Sequence, residues 1–90
     1  MDLYVGGLKY STTEATIREA LGAGGRRPIE SVRIIRDRMT GQSRGYAFVA
    51  FEDEDDARAA MAAWDDQELD GRTVRVSEAR TQVRVQRRYE

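Results

Sequence analysis

Two aromatic side chains, Tyr46 and Phe48, alternate within RGYAFVAF at residues 44 to 51, directly behind Arg44, and a third, Tyr4, lies in LYVGGL at residues 3 to 8. Aromatic faces beside a guanidinium offer two kinds of contact. The rings stack on flat π systems such as nucleobases, worth ~1–3 kcal/mol per base, and the planar fork of Arg grips phosphate. Covalent chemistry is harder to assemble from this chain. It contains no Cys and no His, which removes disulfides, zinc fingers, thiol nucleophiles, the ordinary imidazole base and the commonest metal ligands. Its carboxylates gather in runs such as EDEDD at residues 52 to 56, which read as a solvated charge cluster rather than an acid–base pair. The expectation is a binder, not an enzyme, with no catalytic residue, metal site or cofactor.

These side chains must be held by a small scaffold. Ninety residues make one domain, and a chain of that size buries only ~60–65% of its unfolded surface, enough for one modest core. A composition 40% hydrophobic and 34% charged fits a globular chain rather than a disordered one. No apolar run approaches the ~18 residues of a membrane span. MDLYVGGL enters a strand-like pattern at once, without a targeting segment, so a cytoplasmic location is expected. The net charge of −1 conceals segregation along the chain: residues 26 to 44 and 72 to 90 each carry +4, whereas residues 45 to 71 carry −8. Fourteen of the 15 basic residues are Arg. Codon preference would give the same count, so the placement of those Arg residues must decide what they do.

Hydrophobic period orders the elements. Leu3 and Val5 fall on one side of a short strand and Tyr4 on the other. Ser11 with Glu14 fits a capping box, Thr12 is an alternative cap, and Ile17, Ala20 and Leu21 follow at helical spacing. GAGG at residues 22 to 25 and then Pro28 end this first helix. A second strand is expected from Glu30 to Arg36, with Val32 and Ile34 facing one way, then a polar hairpin loop, DRMTGQSRG, at residues 37 to 45. YAFVAF at residues 46 to 51 is the third strand. Ala57, Ala60, Met61 and Trp64 repeat at i, i+3, i+4 and i+7, which makes a second amphipathic helix. ELDG at residues 68 to 71 is read as a turn, and TVRVS at residues 73 to 77 as the fourth strand. The order βαββαβ predicts an α+β, ferredoxin-like sandwich, a four-stranded antiparallel sheet with two helices on one face.

Two helices can cover only one face of such a sheet. The aliphatic set Leu3, Val5, Val32, Ile34, Ala47, Val49, Phe51, Val74 and Val76 suits the covered face, so alternation turns Tyr4, Tyr46 and Phe48 outward. Three clustered aromatics on a solvent face cost solubility and need a reason; base stacking supplies one, and packing under the tail or at a dimer contact is the alternative. Arg36, Arg38, Arg44 and Arg75 flank this face, with Arg80, Arg84, Arg87 and Arg88 following in the tail, while the acidic segments belong to the second helix behind the sheet. A positive rim around aromatic platforms suits a single-stranded nucleic acid. An overall pI near 5.5 argues for modest, salt-sensitive affinity.

The motifs themselves resemble those of a known family. RGYAFVAF fits the octamer K/R-G-F/Y-G/A-F-V-x-F/Y of the RNA recognition motif at every position, and LYVGGL resembles the companion hexamer. DRMTGQSRG and ELDGRTVRVSEA resemble the family's flanking segments, so the resemblance covers residues 1 to about 80. It implies that Tyr4 and Tyr46 stack successive bases, that Phe48 sits between or against sugars, and that Arg44 pairs with phosphate. Ser77 to Arg80 resemble the strand edge where base edges are read. Asp2, outward by the parity of Tyr4, is a candidate acceptor for a base amine, and Arg75 and Ile35 also face outward. The chain departs from the family at Leu21, where Phe is frequent, at Gly24, near which an aromatic is usual, and in GAGGRRP, about two residues longer than usual. Trp64 replaces a Leu, which reads as core filling; an exposed Trp there would mark a protein-binding face. Asp65 stands where Asn is common.

The combined expectation is an RNA-binding unit over residues 1 to 80 and a short basic tail over residues 81 to 90. Its partner is single-stranded RNA, with single-stranded DNA as a competitor, and no membrane. A start Met one residue before the first strand suggests a stand-alone protein resembling the single-domain RNA-binding proteins of bacteria and organelles. The alternative function is a protein-interaction domain that engages a partner chain through the second helix or the sheet. A monomer is assumed.

Overall fold

Leu3, Val5, Ala47, Val49, Phe51, Val74 and Val76 are all buried, as period-two alternation requires along one face of a half-covered sheet. The computed structural model describes residues 1–79, so Arg80 and the basic tail lie outside the described residues. Strands β1 (Asp2–Gly6), β2 (Ile29–Arg36), β3 (Ser43–Phe51), β4 (Gln67–Leu69) and β5 (Arg72–Glu78) are joined with helices α1 (Glu14–Leu21) and α2 (Glu54–Trp64) in the chain order β1-α1-β2-β3-α2-β4-β5. The pairings are antiparallel, and the spatial order is β2-β3-β1-β5-β4.

Among the described residues the sheet therefore has five strands where the sequence reading expected four. The segment taken as a plain turn is a tight hairpin: Gln67 pairs with Val74, Glu68 with Thr73 and Leu69 with Arg72. Asp70 and Gly71 form its two-residue loop, both with positive φ, 56° and 90°, the geometry that suits the right-handed twist of flanking strands. Buried Leu69 anchors the short strand to the core. Three residues with one apolar position present no alternation to read. The Asp-Gly pair was the usable signal.

Helix α1 is capped one residue after Thr12 and two after Ser11, the caps read from the sequence. Thr13, in extended conformation, caps it by accepting from the Thr16 N–H at 3.3 Å. Thr12 is instead buried, and its hydroxyl donates to Asp70 Oδ2 at 2.8 Å, a tertiary bond across 58 residues. Helix α2 is capped by Asp53, which accepts from the Asp55 N–H, and Glu54, Asp55 and Asp56 fill its first turn. Negative charge is favourable there, against the positive end of the helix dipole. Much of the acidic run thus has a structural purpose.

The core lies between the sheet and the two helices. Ile17 and Leu21 enter it from α1, Ala57 and Ala60 from α2, and Val32, Met61 and Trp64 pack against it partly buried. Trp64 fills space, as read from the sequence, and its Nε1–H donates to the Ala20 carbonyl at 3.2 Å, tying one helix to the other. At the end of α2, Asp65 Oδ1 accepts from the Val76 N–H at 2.9 Å and from Arg75 Nε at 3.0 Å. The carboxylate clamps the helix end to β5.

Among the described residues, three carboxyls are held below their ordinary range. Hydrogen bonds from Arg75 and then the Val76 N–H lower Asp65; the N–H groups of Thr40 and Met39 lower Asp37; its own N–H and then Arg36 lower Glu14. A folded pKa below the unfolded one adds stability that is complete above the ordinary carboxylate range and lost as pH falls through the folded value. With no His in the chain, no imidazole adds a step near neutrality. The melting temperature is expected to stay level between about pH 5 and 8 and to fall below about pH 4. Asp65→Asn, followed by circular dichroism, should melt slightly lower than wild type at neutral pH and converge with it in acid.

Candidate nucleic-acid interface

Register brings the three aromatics together. Tyr4 on β1 stands directly opposite Phe48 on β3, and Gly6 opposite Tyr46. All three rings are half-buried on the face away from the helices. Tyr4 lies 5.7 Å from Tyr46 and 5.8 Å from Phe48 between ring centroids, and Tyr46 lies 6.2 Å from Phe48, edge-on. These separations are those of mutually packed rings. The triad is one surface rather than three separate side chains.

Gly6 makes this surface possible. A Cβ at position 6 would lie 2.6 Å from the Tyr4 hydroxyl and 2.9 Å from its ring, so the Tyr4 ring lies along the strand over the space a side chain would fill. That space faces Tyr46 through the strand pairing. The sequence reading gave Gly6 no part in the site. Its shared parity with Tyr4, two residues away, was the available signal.

Ser77 on β5 is exposed and pairs across to Tyr4, and Arg75 pairs across to Gly6. Asp2 is exposed at the start of β1 opposite Ala50, and Ile35 is half-buried at the outer end of β2. Arg44 is exposed at the β2–β3 hairpin, 3.6 Å from Asp37. Arg75 is also exposed, with its Nε on Asp65. Each of these guanidiniums already carries a carboxylate neighbour. Arg33, missed from the sequence, is exposed on β2 directly opposite Phe48; finding it required the β2–β3 register. Arg80 lies outside the described residues. Among those described, no group of three or more metal-ligating side chains converges, and no helix is long and apolar enough to cross a membrane.

The comparisons agree with one another. The chain is 40% identical over 87 residues to the mitochondrial Glycine-rich RNA-binding protein 2 of Arabidopsis thaliana, covering 97% of this chain and 54% of that protein. It is 42% identical over 78 residues to a Glycine-rich RNA-binding protein of Daucus carota, covering 87% of this chain and 48% of that one. It thus spans about half the length of these curated relatives. Among solved structures, RNA Binding Protein PG1 superposes with a TM-score of 0.84 at 42% identity, covering 93% of this chain and 99% of that one. The Sxl-lethal protein in its RNA complex superposes with a TM-score of 0.83 at 33% identity, covering 91% and 48%. Residues 3–75 match the RNA recognition motif as a family, and with both of its motifs lying side by side on β3 and β1, the chain belongs to that family.

Proposed function

We propose that this chain binds short single-stranded RNA across the uncovered face of its sheet. The observation that carries the reading is the packed triad of Tyr4, Tyr46 and Phe48, whose centroids lie 5.7 to 6.2 Å apart on a face no helix covers. Tyr4 and Tyr46 stack successive bases, and Phe48 packs against the sugar between them. Arg44, together with Arg33 beside Phe48, holds phosphate. Arg75 has one nitrogen engaged by Asp65 and contributes its remaining donors. Ser77 and the backbone beyond it read base edges next to Tyr4, and Asp2 accepts from a base amine. Single-stranded DNA competes to the extent that the 2′-hydroxyl is not contacted. Residues 1 to 80 form the binding unit, with the basic tail adding charge at its end.

The names of the relatives support this reading, since two are RNA-binding proteins and a structural neighbour is a complex with RNA. A protein-docking role through α2 has less support. Its aromatic anchor, Trp64, is held against the core and donates inward to Ala20.

Fluorescence anisotropy with a randomised single-stranded RNA pool at two salt concentrations tests the proposal. Phe48→Ala should weaken binding by ~1–3 kcal/mol while the melting transition persists. Gly6→Ala, which adds nothing but a methyl group under Tyr4, should displace that ring and weaken RNA binding by ~1 kcal/mol or more, the worth of a lost stacking platform. Arg44→Ala should weaken binding of all sequences alike and reduce the salt slope by ~1. A double variant, Tyr46→Ala with Phe48→Ala, that bound like wild type would overturn the stacking mechanism.

A further inference from the structure

Tyr10 is 62% exposed and, with Met39, is one of two large hydrophobic side chains that stand out from the surface among the described residues. A lone exposed aromatic needs no explanation by itself. What distinguishes Tyr10 is that it is held in place. Its ring packs on Gly45, the residue before Tyr46: a Cβ at position 45 would lie 3.2 Å from Tyr10 Cε1 and 3.3 Å from the Leu8 carbonyl, and Gly45 has a φ of +85° that disfavours any side chain. The turn carrying Tyr10 closes through the Thr12 N–H on the Lys9 carbonyl at 3.0 Å, and the Leu8 N–H bonds the Gly45 carbonyl at 2.8 Å. On the other side, Thr12 ties the same turn to Asp70 in the β4–β5 hairpin.

The ring also forms a wall shared by two shallow notches. One is lined by Lys9, Tyr10, Ser11 and Arg72. The other is lined by Tyr10, Thr40, Gln42 and Ser43 together with the paired Asp37 and Arg44. Cations therefore stand on both sides of a fixed aromatic, at the end of the sheet where β3 begins with Tyr46 just beyond. The acids nearby, Asp37 and Asp70, are occupied by the hairpin backbone with Arg44 and by Thr12.

We infer that Tyr10 is a further stacking platform for a nucleotide that leaves the aromatic triad over this rim, with Lys9 and Arg72 holding its phosphate. The inference rests on the RNA-binding reading above and extends its footprint beyond the sheet. The occupant is the same strand of RNA, because the rim is continuous with the triad through Gly45 and Tyr46 and presents the charge that a phosphate backbone requires.

The test is a length series read by fluorescence anisotropy, using oligouridine of about four nucleotides, enough for the two or three bases a sheet of this kind stacks, and of about eight. Wild type, Tyr10→Ala, Tyr10→Phe, Lys9→Gln with Arg72→Gln, and Phe48→Ala are compared, with thermal melts confirming that each variant folds. The inference expects Tyr10→Ala to weaken the longer RNA about 5- to 20-fold and leave the shorter one unchanged. Tyr10→Phe keeps the ring and should keep the affinity, and the Lys9, Arg72 pair of changes should lower the salt dependence for the longer RNA alone. If Tyr10→Ala binds the longer RNA like wild type while Phe48→Ala is impaired, the rim platform is overturned and the sheet reading stands. Equal weakening of both lengths by Tyr10→Ala, with a lowered melting temperature, would make Tyr10 a structural prop and overturn the platform. Binding of neither length by wild type, or no effect of Phe48→Ala, defeats the RNA reading and the rim platform with it.

Discussion

The pleat of β1 and β3 is the constraint on which the rest of the molecule depends. Each strand sends alternate side chains to opposite faces, so the burial of Leu3, Val5, Ala47, Val49 and Phe51 on one side obliges Tyr4, Tyr46 and Phe48 to appear on the other. Fully burying a Val, Leu, Ile, Phe or Met side chain contributes roughly 1.5–3 kcal/mol. That gain offsets the cost of leaving three aromatic rings half in water. A one-residue slip in pairing would exchange the two sets and lose both core and platform. The core and the aromatic triad therefore rest on the same register, with Tyr4 opposite Phe48 and Gly6 opposite Tyr46.

Charge is arranged with similar economy. Acidic residues fill the first turn of α2, behind the sheet, where the helix dipole favours them. Arg36, Arg44 and Arg75 nevertheless each have a carboxylate neighbour, in Glu14, Asp37 and Asp65. Exposed pairs of this kind are worth little in water, so a phosphate can replace the carboxylate at small cost. The Arg44 and Arg75 pairs lie at the hairpin and on β5, whereas Arg36 reaches Glu14 on α1, on the helix side of the sheet. A chain with a net charge of −1 can in this way present a locally positive rim. Electrostatic attraction at such a rim falls as salt rises.

Tyr10 and the triad show two ways of presenting an aromatic to solvent. The triad rings support one another by ring packing. Tyr10 is instead positioned by backbone, resting on Gly45 and held in a turn fastened to both neighbouring hairpins. Gly6 and Gly45 each provide, through a missing side chain, the space an adjacent ring occupies.

The sequence by itself determined what depends on local pattern. Alternation in LYVGGL and RGYAFVAF settled which side of β1 and β3 is core, helical spacing at Ala57, Ala60, Met61 and Trp64 settled the inner face of α2, and the octamer pointed to the family. Tertiary structure decided what depends on residues far apart in the chain. Thr12 reads as a cap until Asp70 takes its hydroxyl. Glu68 and Leu69 read as part of a turn until β5 and the core give them partners. Gly6 and Arg33 join the aromatic face only through pairing with β3, and Tyr10 becomes a fixed surface only because Gly45 lies beneath it. Period and propensity are set by neighbours along the chain, whereas register and close approach are set by whatever the folded chain brings alongside.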